Sequence, residues 1–267
     1  MITINAMMTE SLLGKDSEET VNFNLVRSRR RTLGISVRRG VVEVRAPLKA
    51  PKSWIMECVE EKKSWIAKQV SLQKLQLKDV YRITDGTIIP LLGDTLSIRI
   101  SNRSRLSGKV VKRASISISE STLWIDIPPS TSNEDGITSI ALLQEEKATR
   151  LFLKWIKTQA ESYMSQTTKT LAEKMALDNL NSISYRRTTS KWGHCTSEGN
   201  IQYNPLLMLA PQFVVDYIIA HEVCHLRHAN HSKRFWSLVD KAYPQRNHAE
   251  NWLKQHGHRL AIECPTL

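Results

Sequence analysis

The chain has 267 residues, 41% of them hydrophobic, which is enough for one large domain or two small ones with a real core. Its 38 basic and 26 acidic residues leave a net charge of +12, which suits nucleic acid, although the scarcity of aromatic residues favours a solvated basic surface. Four cysteines without paired spacing exclude a disulfide scaffold and predict a reduced, cytoplasmic protein, and no apolar run is long enough for a membrane span.

The first half of the chain is predicted to be rich in β-strands. Residues 1–20 lack the basic start and apolar stretch of a signal peptide, and we expect a mobile leader there. Alternating apolar residues over 21–47 predict a small antiparallel sheet. A helix is predicted at 51–75, and more strands follow over 81–127. Residues 21–130 therefore form the expected N-terminal β-rich domain.

A break and a long helix separate the two halves of the chain. The run that begins with two prolines, residues 128–136, is the clearest interruption and predicts a domain boundary. Apolar residues then recur at helical spacing over 137–176, which predicts a long helix with a buried stripe. Residues 137–258 form the second expected domain, and residues 259–267 form a tail.

Short elements fill the rest of the second domain. Two strands are predicted at 183–187 and 199–204, on either side of a turn at 192–193. A buried helix follows at about 211–228, because its apolar positions leave almost no polar face. Two further helices are predicted at 232–242 and 247–256.

The buried helix contains the motif His221-Glu222-Val223-Cys224-His225. Two histidines four residues apart lie on the same helix face, so their imidazoles can bind one metal ion. The glutamate beside the first histidine can reach a water molecule on that metal. Zinc with three protein ligands keeps a fourth position for water, as catalytic sites require. The motif therefore predicts a zinc hydrolase, most plainly a metallopeptidase with Glu222 as the catalytic base.

The third metal ligand has three candidates. His231 stands ten residues after His221, at the spacing of the third histidine in metzincins, where a glycine allows the chain to reverse. Here His228 occupies the position of that glycine and competes as a ligand. On a continuing helix, however, it would lie two turns from His221. Glu250 is a more distant acidic candidate. We therefore predict that His231 completes the set begun by His221 and His225.

These residues resemble a known family. Together with the segments 230–232 and 235–236, the motif is similar to the YgjP-like metallopeptidase family, which is related to the WLM and SprT-type zincins. The family usually has serine at the position of His194, a difference that leaves the metal set untouched. The other segments that carry the resemblance are Arg27–Thr32, Val44–Pro47, Trp65-Ile66, Arg187, Ser190–Cys195, Gly199–Ile201 and Asn204.

The resemblance implies an α+β fold, in which an N-terminal β-rich domain precedes a zincin-like metallopeptidase domain built around the metal helix. It also implies that His221, His225 and His231 bind zinc, that Glu222 is the general base, and that the substrate is a protein or peptide. By the same resemblance, the strand at 199–204 is the candidate upper rim of the cleft, and its edge can pair with an extended substrate backbone.

Some features of the mechanism stay open at this point. His194 and Tyr203 are only candidates for a second donor to the oxyanion. A metal-dependent hydrolase of nucleotide phosphoanhydrides would suit the basic charge, but the chain lacks a glycine-rich phosphate loop. A basic nucleic-acid-associated binding protein with a structural metal is disfavoured by Glu222, because a structural site needs no base.

Overall fold

The chain divides into two compact units, residues 1–79 and residues 80–267. Among the described residues there are six α-helices and three small sheets, which agrees with the expected mixture of helices and strands. None of the helices in this part of the chain has the length and apolar character needed to cross a membrane. The computed structural model describes residues 8–12, 21–38, 40–77, 79–102, 108–129 and 137–264.

The first unit consists of four strands and two helices: β1 (Met8–Leu12), β2 (Val21–Ser28), β3 (Gly34–Arg38), β4 (Val41–Pro47), α1 (Lys52–Glu61) and α2 (Lys63–Leu77). The strands lie in the order β1-β2-β4-β3. Alternate apolar side chains of β2 and β4, such as Phe23 and Val44, face one side of the sheet. There they pack against Ile55, Val59 and Ile66 of the helices and form a separate small core.

Three expectations for this unit are corrected. Within the expected leader, residues 8–12 form a strand that pairs with β2. The sheet is mixed rather than antiparallel, because β3 and β4 form a hairpin that places β4 parallel to β2. The expected helix over 51–75 is two helices, because Lys62 leaves the helical conformation with φ −101° and ψ 7°.

The second unit contains the remaining elements. Its strands are β5 (Ile88–Leu91), β6 (Asp94–Ser101), β7 (Ser115–Ser119), β8 (Thr122–Asp126), β9 (Ser182–Tyr185), β10 (Gly193–Cys195) and β11 (Asn200–Tyr203). Its helices are α3 (Ile137–Lys174), α4 (Gln212–His225), α5 (Lys233–Ala242) and α6 (Arg246–His256), together with short 3₁₀ helices at Pro205–Leu209 and Gly257–Arg259. The strand orders are β5-β6-β8-β7 in one sheet and β10-β11-β9 in the other.

The long helix α3 packs against both the strands and the helices of the second unit. Phe152 and Ile156 on its buried stripe belong to the same core as Leu123 and Ile125 of β8 and Ile219 of α4. The strands between residues 81 and 127 therefore share a core with helix α4. The predicted arrangement differs, because it placed these strands with the N-terminal sheet and put the boundary at 128–136. Of that segment, residues 130–136 lie outside the described residues.

Candidate metal centre

Helix α4 carries the motif on its last two turns. Most of its side chains are buried, which explains why the segment has no polar face in the sequence. The turn before it is fixed by Asn204, whose side-chain oxygen accepts a hydrogen bond of 3.1 Å from the N–H of Leu206. Pro211 then sets an extended backbone at the start of the helix. His221 and His225 are thus carried by a core-packed, rigid element.

The structure brings His221, His225 and His231 together. Their nearest ring nitrogens all lie within 4.8 Å of one another, and Nε2 of His231 is 3.1 Å from Nε2 of His221. Two imidazole nitrogens that face each other at this distance either share one proton or direct their lone pairs at one cation. Three imidazoles with this convergence fit a tetrahedral metal such as zinc, with one position left open.

The ring of His225 is oriented by the backbone. Its Nδ1 lies 3.0 Å from the carbonyl oxygen of His228, so Nδ1–H donates this hydrogen bond and Nε2 keeps its lone pair. His228 therefore contributes its carbonyl, while its own ring is not part of the described cluster. One nitrogen of His221, Nδ1, is buried without a hydrogen-bond partner among the described residues.

Burial also sets the protonation of the two helix histidines. Burial, together with the smaller effects of the neighbouring His225 and His231, lowers the pKa of His221 to about 3. Burial likewise lowers the pKa of His225, against the opposing effect of its hydrogen bond to His228. Both rings are therefore neutral at neutral pH, which is the form that binds a metal.

Glu222 lies beneath strand β10. It is 5% exposed, and burial raises its pKa to about 8, while the charge of Lys191 acts in the opposite direction. A Cβ atom added at Gly193 would lie 2.5 Å from both Oε1 and Cγ of Glu222. A real side chain cannot approach so closely, so glycine is required where the strand crosses the carboxylate.

Helix α5 contacts the ring of His231, and helix α6 supports α5. The ring of His231 stacks on Trp236, with centroids 5.4 Å apart and an interplanar angle of 26°. The guanidinium of Arg246 lies 4.7 Å from the centroid of the Trp236 ring. Arg246 donates to Asp240 at 2.7 Å and to Glu250 at 3.1 Å. The stack is therefore anchored by two carboxylates.

Glu250 has a different place from the one considered in the sequence. The hydroxyl of Tyr217, one turn before His221 on α4, donates to the Glu250 carboxylate at 2.8 Å. Glu250 therefore links Arg246 to helix α4, and it is not a member of the histidine cluster. The sequence does not predict these hydrogen bonds of Glu250, because Tyr217 is far from it in the chain and no spacing rule relates the two residues.

The expected rim strand is corrected. Strand β11, which corresponds to the predicted strand at 199–204, is the central strand of its sheet, so both of its edges are already paired. Strand β10 is an edge strand of this sheet, and its first residue, Gly193, belongs to the predicted turn at 192–193. The N–H of Thr196 donates to the carbonyl oxygen of Asn200 just beyond this strand. Because antiparallel partners alternate, the backbone groups of Gly193 and Cys195 point to the free edge.

The two oxyanion candidates have different environments. Tyr203 is completely buried, and its hydroxyl forms a 3.0 Å hydrogen bond with Thr168. The Tyr203 hydroxyl is therefore not available as an oxyanion donor, and that candidate is wrong. His194 lies exposed on β10 and stays a prediction.

The chain was compared with protein-family models, curated proteins and solved structures. The model of the family described as "YgjP-like, metallopeptidase domain" matches residues 31–256. No curated protein sequence matches the chain. Among solved structures, the metallopeptidase zymogen abylysin of Pyrococcus abyssi matches with 20% identity and a TM-score of 0.33, over 36% of this chain and 96% of that chain, a likeness that carries no argument. Because the family model spans most of the sequence, the chain belongs to the YgjP-like metallopeptidase family.

Proposed function

We propose that this metallopeptidase uses zinc held by His221, His225 and His231, with Glu222 as the general base. The observation that carries the proposal is the convergence of three imidazoles on one point beside a buried carboxylate. The two helix histidines are neutral, and the hydrogen bond from His225 to the His228 carbonyl directs its other nitrogen toward that point.

The chain's own residues divide the work of peptide hydrolysis. His221, His225 and His231 would hold a zinc ion, which would supply a Lewis acid for the scissile carbonyl and for the attacking water. Glu222 accepts the proton of the attacking water on a carboxylate oxygen and later delivers it to the leaving amine.

The free edge of β10 is the proposed binding site for the substrate backbone. The N–H and C=O groups of Gly193 and Cys195 can pair with an extended peptide as one further strand of the β10-β11-β9 sheet. Since Gly193 also touches Glu222, a peptide on this edge would bring its backbone close to the general base.

Metal analysis tests the proposed site. We expect one zinc per chain in protein purified without chelator, because three imidazoles converge there. His231→Ala should strongly lower zinc affinity, whereas His228→Ala should not, because His228 acts through its backbone carbonyl. Less than about 0.2 equivalents of any transition metal, without uptake of added zinc, would reject the site. A greater loss in His228→Ala would move the third ligand to that residue.

The substrate class is tested on two panels. Unfolded peptides should be hydrolysed, and nucleoside triphosphates should not. Affinity for nucleic acid, suggested by the net charge of +12, stays a prediction of composition alone.

A further inference from the structure

A small cavity lies against strand β10. Its volume is about 170 Å³, and it is lined by residues of the segments 186–194 and 202–204. Gly193 belongs both to the wall of this cavity and to the contact with Glu222. The cavity therefore begins at the strand along which the peptide substrate is proposed to lie.

The charged groups that line the cavity are all cationic. They are Arg186 and Lys191, and no aspartate or glutamate lines it. Neither side chain forms an ion pair or a hydrogen bond with another described residue, and both residues are exposed. Two cations are thus available to an anionic ligand in this cavity.

The backbone that carries these cations is held in place. The N–H of Arg186 donates to the carbonyl oxygen of Tyr203 at 3.0 Å and extends the pairing of β9 with β11. The side-chain amide of Asn204 donates to the carbonyl oxygen of Thr188 at 3.0 Å, and the Thr188 hydroxyl donates to the carbonyl oxygen of Lys191. Less conformational freedom is lost when a ligand binds a loop fixed in this way.

We propose that this cavity binds a carboxylate of the peptide substrate, through Arg186 and Lys191, and so selects substrates with an acidic group near the scissile bond. The inference rests on the proposed peptidase function. A carboxylate is the anionic group that an unmodified peptide offers, and a guanidinium can bind it with two parallel hydrogen bonds. The volume is below the roughly 300 Å³ at which small-molecule sites begin, so it suits a side chain or a chain end better than a nucleotide.

The experiment compares peptides that differ only in charge. Zinc-loaded protein is given peptides with Glu or Gln at each position around the cleaved bond, and peptides with a C-terminal carboxylate or amide. We expect kcat/KM to favour the carboxylate by roughly 10–100-fold in one of these two series, as for a hydrogen bond between charged groups. The series that responds identifies the source as a side chain or the chain end.

Variants assign the preference to the cavity. Arg186→Gln and Lys191→Gln, singly and combined, should bring the carboxylate-to-amide ratio of kcat/KM close to one. Arg187→Gln is the matched control, because this neighbouring cation directs its guanidinium to Cys264 Sγ at 4.0 Å and does not line the cavity. Equal rates for both members of every pair, or a ratio that survives both single substitutions, would overturn the proposal.

A binding measurement separates this inference from the proposed activity. Glu222→Gln protein should bind the same peptides without cleaving them, and fluorescence titration gives the ratio of their Kd values. If wild-type protein cleaves no peptide but this variant still prefers the carboxylate form, carboxylate binding by the cavity is supported and the peptidase mechanism is rejected. If cleavage occurs and neither measurement shows a preference for the carboxylate peptides, the peptidase mechanism is supported and the cavity proposal is rejected.

Discussion

The absence of a side chain at Gly193 leaves the space that the buried Glu222 carboxylate occupies. The backbone conformation of Gly193 is available to any residue, so the requirement for glycine comes from proximity alone. The spacing of His221, Glu222 and His225 is visible in the sequence because a helix repeats every few residues. The contact between Gly193 and Glu222 joins two distant segments, and no local pattern predicts it.

Substitution of this glycine tests its role. Gly193→Ala should displace the Glu222 carboxylate and lower peptide turnover by about 10²-fold, the loss expected for a misplacement of about 1 Å. Zinc content should be retained, because the three histidines are not touched. Gly257→Ala is the control, since its new Cβ would meet Trp192 at an ordinary 3.8 Å. Equal activity of the two variants would show that the close approach has no consequence for the base.

At the scale of elements, helices α5 and α6 build the support for the third histidine. Amphipathic periodicity and the cap at Ser232 make α5 predictable from sequence. The order of strands β10, β11 and β9 is not predictable in the same way, because it depends on pairing between segments that are not neighbours. For that reason the prediction places the rim at 199–204, whereas the structure shows that this strand is the central one.

The stack on His231 predicts an effect on metal affinity. Arg246→Ala removes the cation next to Trp236 and leaves Glu250 bound only to Tyr217, so the ring of His231 loses part of its support. We expect zinc affinity to fall by roughly tenfold, the lower end of the effect of outer contacts at metal sites. Competition with a chromophoric chelator measures it. Arg150→Ala, which breaks only an exposed pair with Glu146, should leave the affinity unchanged. An equal effect of both variants would contradict the account.

At the scale of the whole molecule, the two units each have a core of their own. The prolines at 128–129 resemble a domain boundary because turn residues mark any interruption of regular structure. Whether the flanking segments share a core depends on long-range packing, as between Ile125 of β8 and Phe152 of α3. A composition break therefore predicts the end of a strand more reliably than the end of a domain.

Expression of fragments tests this division. Residues 80–267 should fold alone and bind zinc, because they keep the complete core around α3. Residues 137–267 should fail to fold cooperatively, since loss of strands β5 to β8 uncovers the apolar stripe of α3. Thermal unfolding and zinc content of both fragments provide the measurement. A stable, zinc-binding fragment of residues 137–267 would restore the boundary at 128–136.

Turnover by Glu222→Gln tests the central claim most directly. The amide is nearly isosteric and Glu222 is not a proposed ligand, so fold and zinc occupancy should match the wild type, while peptide hydrolysis should fall roughly 10²–10⁴-fold. Glu198→Gln is the matched control, because this exposed carboxylate lies on the turn between β10 and β11 and should leave turnover unchanged. Full hydrolysis by zinc-loaded Glu222→Gln protein would show that the activity does not arise at this site.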